Sequence, residues 1–325
     1  MRVTSLVDFN HFFHNQVVPF FGLTSNTHQS YEALRKGISE IDPEFKLWYS
    51  IPIDVNETIS KRLFRIRTEA KILSDKKELF HIPFQLRHLV KTQRYSIPGL
   101  PCLYFGSSSY ISWKEMGAPA LNSIYISRFE TREPIKVLNL GYNHCAIQNL
   151  ITELEVDGNP TALIDLPFVP PDNPLVMQVV SWFALLPLLI ATSIRRKNPG
   201  SDFCDAYILP QNLMQFIRND KLHDIDGVRY ISTMFKDEIL SLTIPHCWAF
   251  PVKTIENEGH CPKLKSLFSN TEIQSWQFSD QFDNVDTKDI TKANIEYMPG
   301  HIQPYNETIW GRSEAALLKF RATSI

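Results

Sequence analysis

The stretch from Gln93 to Glu115, QRYSIPGLPCLYFGSSSYISWKE, gathers residue types that can do chemistry. Arg94 opens it, a Pro98–Gly99 turn follows, Tyr104 lies in a short apolar strand pattern, and Glu115 falls at the end of a helical pattern. A guanidinium suits bidentate contacts with anionic oxygens. A phenol ring can stack on a flat ligand, and a fixed carboxylate can stabilise positive charge that develops in a transition state. Two further candidates lie outside the stretch: Arg65 in LFRIR (63–67) and Ser232 at the end of DGVRYIS (226–232). Taken singly, each has a plain structural reading. Arg94 could be a solvated surface group, Glu115 beside Lys114 an exposed helix face, Tyr104 between Leu103 and Phe105 part of the core, and Ser232 a strand end. Taken together, in this order and with these turns, they favour a shared site.

Other chemistries lack their signatures. There is no glycine-rich phosphate cradle of either the G-x-G-x-x-G or the G-x-x-x-x-G-K-[ST] type, no G-x-S-x-G elbow and no H-E-x-x-H. Three His–Cys dipeptides occur, at His144–Cys145, His246–Cys247 and His260–Cys261. Neighbours on a strand point to opposite faces, so a dipeptide rarely supplies two ligands. Zinc held by the last two pairs is the alternative to packing. His11 and His14 are three apart, yet phenylalanines surround them, and packing is the expected role. The 33 basic and 35 acidic residues leave a net charge of −2, with no electrostatic footprint for nucleic acid.

The elements that must position these residues are short. RLFRIR (62–67), the segment after the Pro-Gly turn within 96–106, SIYISRFE (123–130), PIKVLNLG (134–141), the end of DGVRYIS (226–232) and CWAFPVK (247–253) read as strands. HQSYEALRKGISEI (28–41), SSSYISWKEMG (107–117) and LPQNLMQFIRND (209–220) have helical spacing, the last with Leu213, Phe216 and Ile217 on one side. Residues 280–325 carry few strong signals. Interleaved short strands and helices predict an α+β fold. With 43% hydrophobic residues, of which 21 are Phe and 11 Tyr, a sizeable core can form. Val176–Ile194 approaches the length of a membrane span. However, Gln178, Ser181, Pro187, Thr192 and Ser193 dilute it, and its apolar run from Trp182 to Ala191 is about half the ~20 residues a bilayer needs. A buried helix and no membrane association are expected. Five cysteines without a C-x-x-C, and an N-terminus without an apolar signal region, lead to the expectation of reduced thiols in the cytoplasm.

The pieces LFRIR (63–67), QRYSIPGLPCLYFGSSSYISWKE (93–115), WFALLPLLIATSI (182–194), YILPQNLMQFIR (207–218) and DGVRYIS (226–232) resemble, in order and spacing, the RES-domain family, named for an arginine, a glutamate and a serine. The resemblance covers roughly residues 60 to 255. It implies an ADP-ribosyltransferase-like fold: two small, mostly antiparallel sheets with flanking helices around an NAD cleft. It also implies a toxin or defence effector that degrades NAD⁺ by cleaving the nicotinamide–ribose bond, acting as an NAD⁺ phosphorylase or NAD⁺ glycohydrolase. Glu115 would then stabilise the positive ribose. Arg94 would grip ribose or pyrophosphate oxygens, Tyr104 would stack on nicotinamide, Ser232 would bond the ribose or a phosphate, and Arg65 would add a second phosphate contact. NAD⁺ is the expected substrate, attacked by water or inorganic phosphate; no cofactor and no metal are required. An antitoxin protein with a helix-turn-helix domain is the expected partner. A protein ADP-ribosyltransferase, or a non-catalytic NAD-binding or interaction module, are the alternatives. The domain organisation expected is an N-terminal extension over 1–59, partly helical, a catalytic domain over 60–280, and a tail over 281–325 packed on that domain.

Overall fold

Period-2 alternation in the short apolar segments gives strands with two useful faces, and the sheet they build carries a core on each. The computed structural model of the chain describes residues 50–53, 58–142, 182, 185, 188–196, 204–219, 225–235, 245–276, 286, 287, 290, 294–298 and 301–325. Strands β1 (Ser50–Ile53), β2 (Leu63–Thr68), β3 (Cys102–Gly106), β4 (Ile124–Thr131), β5 (Ile135–Leu140), β6 (Gly227–Ile231), β7 (His246–Pro251), β8 (Phe268–Asn270) and β9 (Gln274–Ser275) join β12 (Thr323–Ser324) in a 10-stranded sheet. Its order is β1-β5-β6-β7-β3-β2-β4-β8-β12, with β9 also on β4. β10 (Asn294–Met298) and β11 (His301–Pro304) form a separate hairpin. β5 and β6 pair in parallel, which requires a long crossover. Helix α2 (Ile208–Arg218) lies in that crossover. The other helices are α1 (Ser109–Glu115), α3 (Pro262–Leu267) and α4 (Ile309–Leu318). A large mixed sheet with several helices is an α+β arrangement, as expected.

The sheet is continuous, yet almost divided at its centre. β2 pairs with β4 at six positions, from Leu63↔Phe129 to Thr68↔Ile124, and β3 pairs with β7 at five, from Cys102↔Pro251 to Gly106↔Cys247. Between β2 and β3 there is a single pair, Phe64↔Gly106. Two separate small sheets were the expectation from the resemblance; the observed halves meet at this one point and part beyond it.

On one face, Phe64, Ile66, Val228, Tyr230, Cys247 and Ala249 pack against Tyr110 and Ile111 of α1, Leu213, Met214 and Ile217 of α2, and Trp310, Ala315 and Leu317 of α4. The intervening residues Leu63, Leu103, Phe105, Trp248 and Phe250 turn to the other face, with Leu264 and Leu267 of α3. The expected positions Leu213, Phe216 and Ile217 of α2 are all buried.

α1 is bounded by its own sequence. The Ser108 hydroxyl accepts from the Ile111 N–H at its start, and Gly117, with φ 83°, ends it in a left-handed turn. Gly106 lets the helix lie close on β3: a Cβ there would stand 2.6 Å from the Ser112 hydroxyl oxygen.

The C-terminal residues contribute more than their sequence suggests. α4 is buried on nearly every side, at Trp310, Gly311, Ser313, Glu314, Ala315, Ala316 and Leu317, so it has no polar face to produce a helical period. β12 extends the sheet edge beside β8. β1 pairs with β5 from within the region assigned to an N-terminal extension. The predicted helix at 28–41, His11, His14 and the His144–Cys145 pair lie outside the described residues. Of the segment 176–194, residues 188–193 are helical, and Trp182, Leu185, Ala191 and Thr192 are buried. Among the described residues, no helix is long and apolar enough to cross a membrane. The described cysteines, Cys102, Cys204, Cys247 and Cys261, are free and buried.

Candidate active site

Where β2 and β3 part, a cavity of about 450 Å³ opens, and Arg65, Arg94, Tyr104 and Glu115 all line it. Its size is that of a small-molecule pocket. Four of the five sequence-predicted residues are therefore brought together, from β2, the loop before β3, β3 itself and the end of α1.

Tyr104 sits midway along β3, its ring half-buried, its hydroxyl 2.7 Å from the Ser96 hydroxyl. Burial raises its pKa well above the ordinary phenol value, so it stays neutral. Arg65, across the seam on β2, replaces the missing ladder with its side chain. Its Nη1 donates to the Tyr104 carbonyl at 3.1 Å and Nη2 to the Phe80 carbonyl at 3.5 Å. Its Nε is buried without a hydrogen-bond partner. Burial, with the Arg67 charge adding to it, lowers the Arg65 pKa to about 10, which leaves the guanidinium charged at neutral pH.

Arg94 is held more tightly by the protein than the sequence suggests. Its Nη1 donates to the carbonyls of Thr192 (2.5 Å) and Ile194 (2.8 Å), and its Nη2 to the Thr233 hydroxyl (3.0 Å). The guanidinium also lies over the Tyr207 ring, 5.2 Å from its centre. It thus closes off carbonyls at the end of the 188–193 helical segment. Arg94 stands in the cavity wall with three of its five N–H groups committed to the protein.

Glu115 is the last residue of α1, and its Oε1 is buried with no hydrogen-bond partner. Burial raises its pKa, while hydrogen bonds from Ser232 and Tyr230 and the charge of Arg94 pull it back. Ser232 is 3% exposed and is not part of the cavity wall. Its hydroxyl accepts from the Met234 N–H at 3.2 Å and lies near enough to Glu115 to pull the carboxyl pKa down. The sequence reading gave Ser232 a direct ligand contact; the structure places it outside the cavity wall.

The same reading did not name Tyr230, which lines the cavity with Glu115 and Cys247 and packs its ring 4.6 Å from Tyr95. The signal was present: on a strand, 230 and 232 share a face.

The histidine pairs behave as strand and loop residues. The His246 Nε2 lies 2.7 Å from the Gly141 carbonyl oxygen, while Cys247 turns to the cavity. The Cys261 N–H donates to His81 Nε2 at 2.9 Å, and the rings of His81 and His260 are 5.0 Å apart. Among the described residues, no three His, Cys, Asp or Glu side chains cluster to hold a metal.

No protein-family profile matches the chain, and no solved structure does. The chain is 29% identical over 307 residues, or 92% of its length, to a Bacillus subtilis (strain 168) protein named "Putative toxin YopC", and it spans 66% of that protein's length. It therefore covers just under two thirds of the curated relative it matches.

Proposed function

We propose that the chain is a toxin whose cavity binds NAD⁺ and breaks the nicotinamide–ribose bond. The observation that carries this reading is the buried, unpartnered Oε1 of Glu115 in a cavity that it shares with Arg65, Arg94 and Tyr104. The similarity to a protein named as a toxin supports the biological role.

The chemistry needs little more than this set. Nicotinamide in NAD⁺ is a pyridinium and leaves as a neutral molecule, so it needs no acid to protonate it. Ordinary glycoside hydrolysis uses two carboxylates, one of them for that purpose. Here one suffices. Positive charge gathers on the ribose as the bond breaks, and the open oxygen of Glu115 stabilises it. Ser232 and Tyr230 favour the charged form of that carboxylate. Arg65 offers its unpartnered Nε to a phosphate oxygen, Arg94 contributes its remaining N–H groups, and the Tyr104 ring stacks against nicotinamide. Water or inorganic phosphate then attacks the ribose. A cell that makes such a toxin must restrain it, and we assign that task to an antitoxin with a helix-turn-helix domain. Leu89, Met116 and Met234 expose apolar surface around the cavity where such a partner can seat.

The test is consumption of NAD⁺ by the pure protein with and without phosphate, with the products identified. ADP-ribose-1″-phosphate or free ADP-ribose, released with nicotinamide, supports the reading. Intact NAD⁺ under both conditions overturns it, and label transferred to a protein replaces it with ADP-ribosyl transfer.

A further inference from the structure

A second buried carboxylate lies at the other end of α1, and the cavity does not use it. Glu314 on α4 is 4% exposed. One of its oxygens, Oε1, accepts three hydrogen bonds: from the Ser109 backbone N–H (2.5 Å), the Ser109 hydroxyl (2.6 Å) and the Tyr305 hydroxyl (2.5 Å). Ser109 is the first residue of α1, and Glu115 is the last.

α4 is itself fixed. Arg128 on β4, 2% exposed, donates from Nε to the Leu317 carbonyl (3.0 Å) and from Nη2 to the Phe320 carbonyl (2.7 Å), holding the far end of the helix. Thr308 caps the near end by accepting from the Gly311 N–H at 3.1 Å. Gly311 presses on the 305–307 turn, where a Cβ would meet the Tyr305 carbonyl at 2.2 Å, and this closeness brings Tyr305 to Glu314. Trp113 and Trp310 interlock the two helices, with ring centres 5.1 Å apart.

A helix of two turns has no stability of its own and stands where its anchors put it. The hydrogen-bonded anchors of α1 include the Ser108 cap, the Ser112 hydroxyl on the Phe64 carbonyl at 2.9 Å, and Glu314. The first lies next to the helix in sequence and the second ties it to β2. Glu314 supplies the hydrogen bonds to the C-terminal helix, beside the ring contacts of Trp310 with Tyr110 and Trp113.

We infer that Glu314 is a positioning residue for Glu115: by gripping the first turn of α1 from α4, it sets where the reacting carboxylate stands in the cavity. The inference rests on the proposed role of Glu115. Ionisation matters to the grip. Burial raises the Glu314 pKa to about 7, against the pull of its bonds to Ser109 and Tyr305 and of the Arg62 charge. The other charged groups on the elements packed here are Lys114, over the Tyr110 and Trp113 rings of α1, Arg128 of β4, and Arg312 on α4 itself. The value stands above that of a free carboxyl, so the gripped arrangement holds its proton and loosens as pH rises through about 7.

The test compares the full chain with Glu314→Met, which removes the acceptor, and Glu314→Gln, which keeps a neutral one. NAD⁺ cleavage is measured from about pH 5.5 to 8.5. Glu314→Met is expected to lower kcat about tenfold with KM within about twofold of wild type. Glu314→Gln restores much of that rate and holds it as pH rises above about 7, where the wild-type grip loosens. A wild-type kcat in the Met variant, or a Gln variant that follows the wild-type profile above neutrality, overturns the inference. Hydrogen exchange at the α1 amides, measured without NAD⁺, reads the grip independently of the reaction. Faster exchange in the Met variant than in wild type supports the grip, and unchanged exchange overturns it, even if NAD⁺ is not cleaved. Should Glu314→Met fail to fold, Tyr305→Phe removes one donor and is expected to give a smaller loss of rate in the same direction, about threefold. No loss there overturns the inference as well.

Discussion

Glu314, buried on α4, meets the start of the seven-residue helix α1, and Glu115, half-buried, ends it; they differ in how the protein uses their oxygens. Around Glu314, Oε1 has three donors, and the helix that carries it is clamped by Arg128. Around Glu115, Oε1 is left without a partner, and Ser232, Tyr230 and the Arg94 charge only moderate the effect of burial on its pKa. Burial raises both pKa values. Leaving a buried polar atom unmade costs on the order of 1–3 kcal/mol. The saturated Oε1 of Glu314 ties two helices together, and the open Oε1 of Glu115 is the one that the proposed function assigns to a ligand.

The strongest attempt to break this contrast is Glu115→Gln. Cleavage of NAD⁺ is expected to fall by at least about 100-fold. Stability should move the other way. The folded-state pKa of Glu115 lies above its unfolded value. The stability linked to that shift is complete below the ordinary carboxylate range and is lost as pH rises through the folded value. Glu115→Gln should therefore melt above wild type at pH 8, the difference closing toward pH 4, as calorimetry at several pH values would show. A variant less stable than wild type at pH 8 would mean that the Glu115 carboxylate is held by the fold and not left open.

At the saturated end, Arg128→Met is expected to cost about 3 kcal/mol in urea unfolding, because it leaves the carbonyls of Lys61, Leu317 and Phe320 without their donor. A loss below about 1 kcal/mol would mean that the clamp is incidental.

The finest distinction comes from Ser232→Ala. The Ser232 hydroxyl lowers the Glu115 pKa, so its removal raises that value and moves the acid limb of the pH–rate profile to higher pH. The rate at pH 8 should stay within about threefold of wild type. A direct ligand contact by Ser232 would instead raise KM with the limb unmoved.

Much of this frame was legible from local pattern. The Pro-Gly turn, the apolar strand after it, the Ser-rich helix start and Gly117 together fix β3 and α1, and with them Tyr104 and Glu115. Alternation along DGVRYIS already puts Tyr230 and Ser232 on one face. What was not legible depends on distant partners. Arg94 reads as a gripping arginine, yet its Nη1 bonds carbonyls about a hundred residues away, at Thr192 and Ile194. The seam between β2 and β3 is a matter of register, which neither strand encodes alone. Glu314 was hidden for a different reason. α4 is buried almost all round, so the amphipathic signal that would have marked the helix is missing, and with it the reason to notice a carboxylate inside it.

The bond between Ser109 and Glu314 spans 205 residues. During translation, Arg65, Arg94, Tyr104 and Glu115 leave the ribosome long before Glu314, the residue proposed to steady the helix of Glu115. A nascent fragment can hold every polar group of the cavity and still lack its geometry, because contacts of such long range form late. Under the proposed role of Glu314, the cavity takes its final geometry only once residue 314 has been added and α4 has docked.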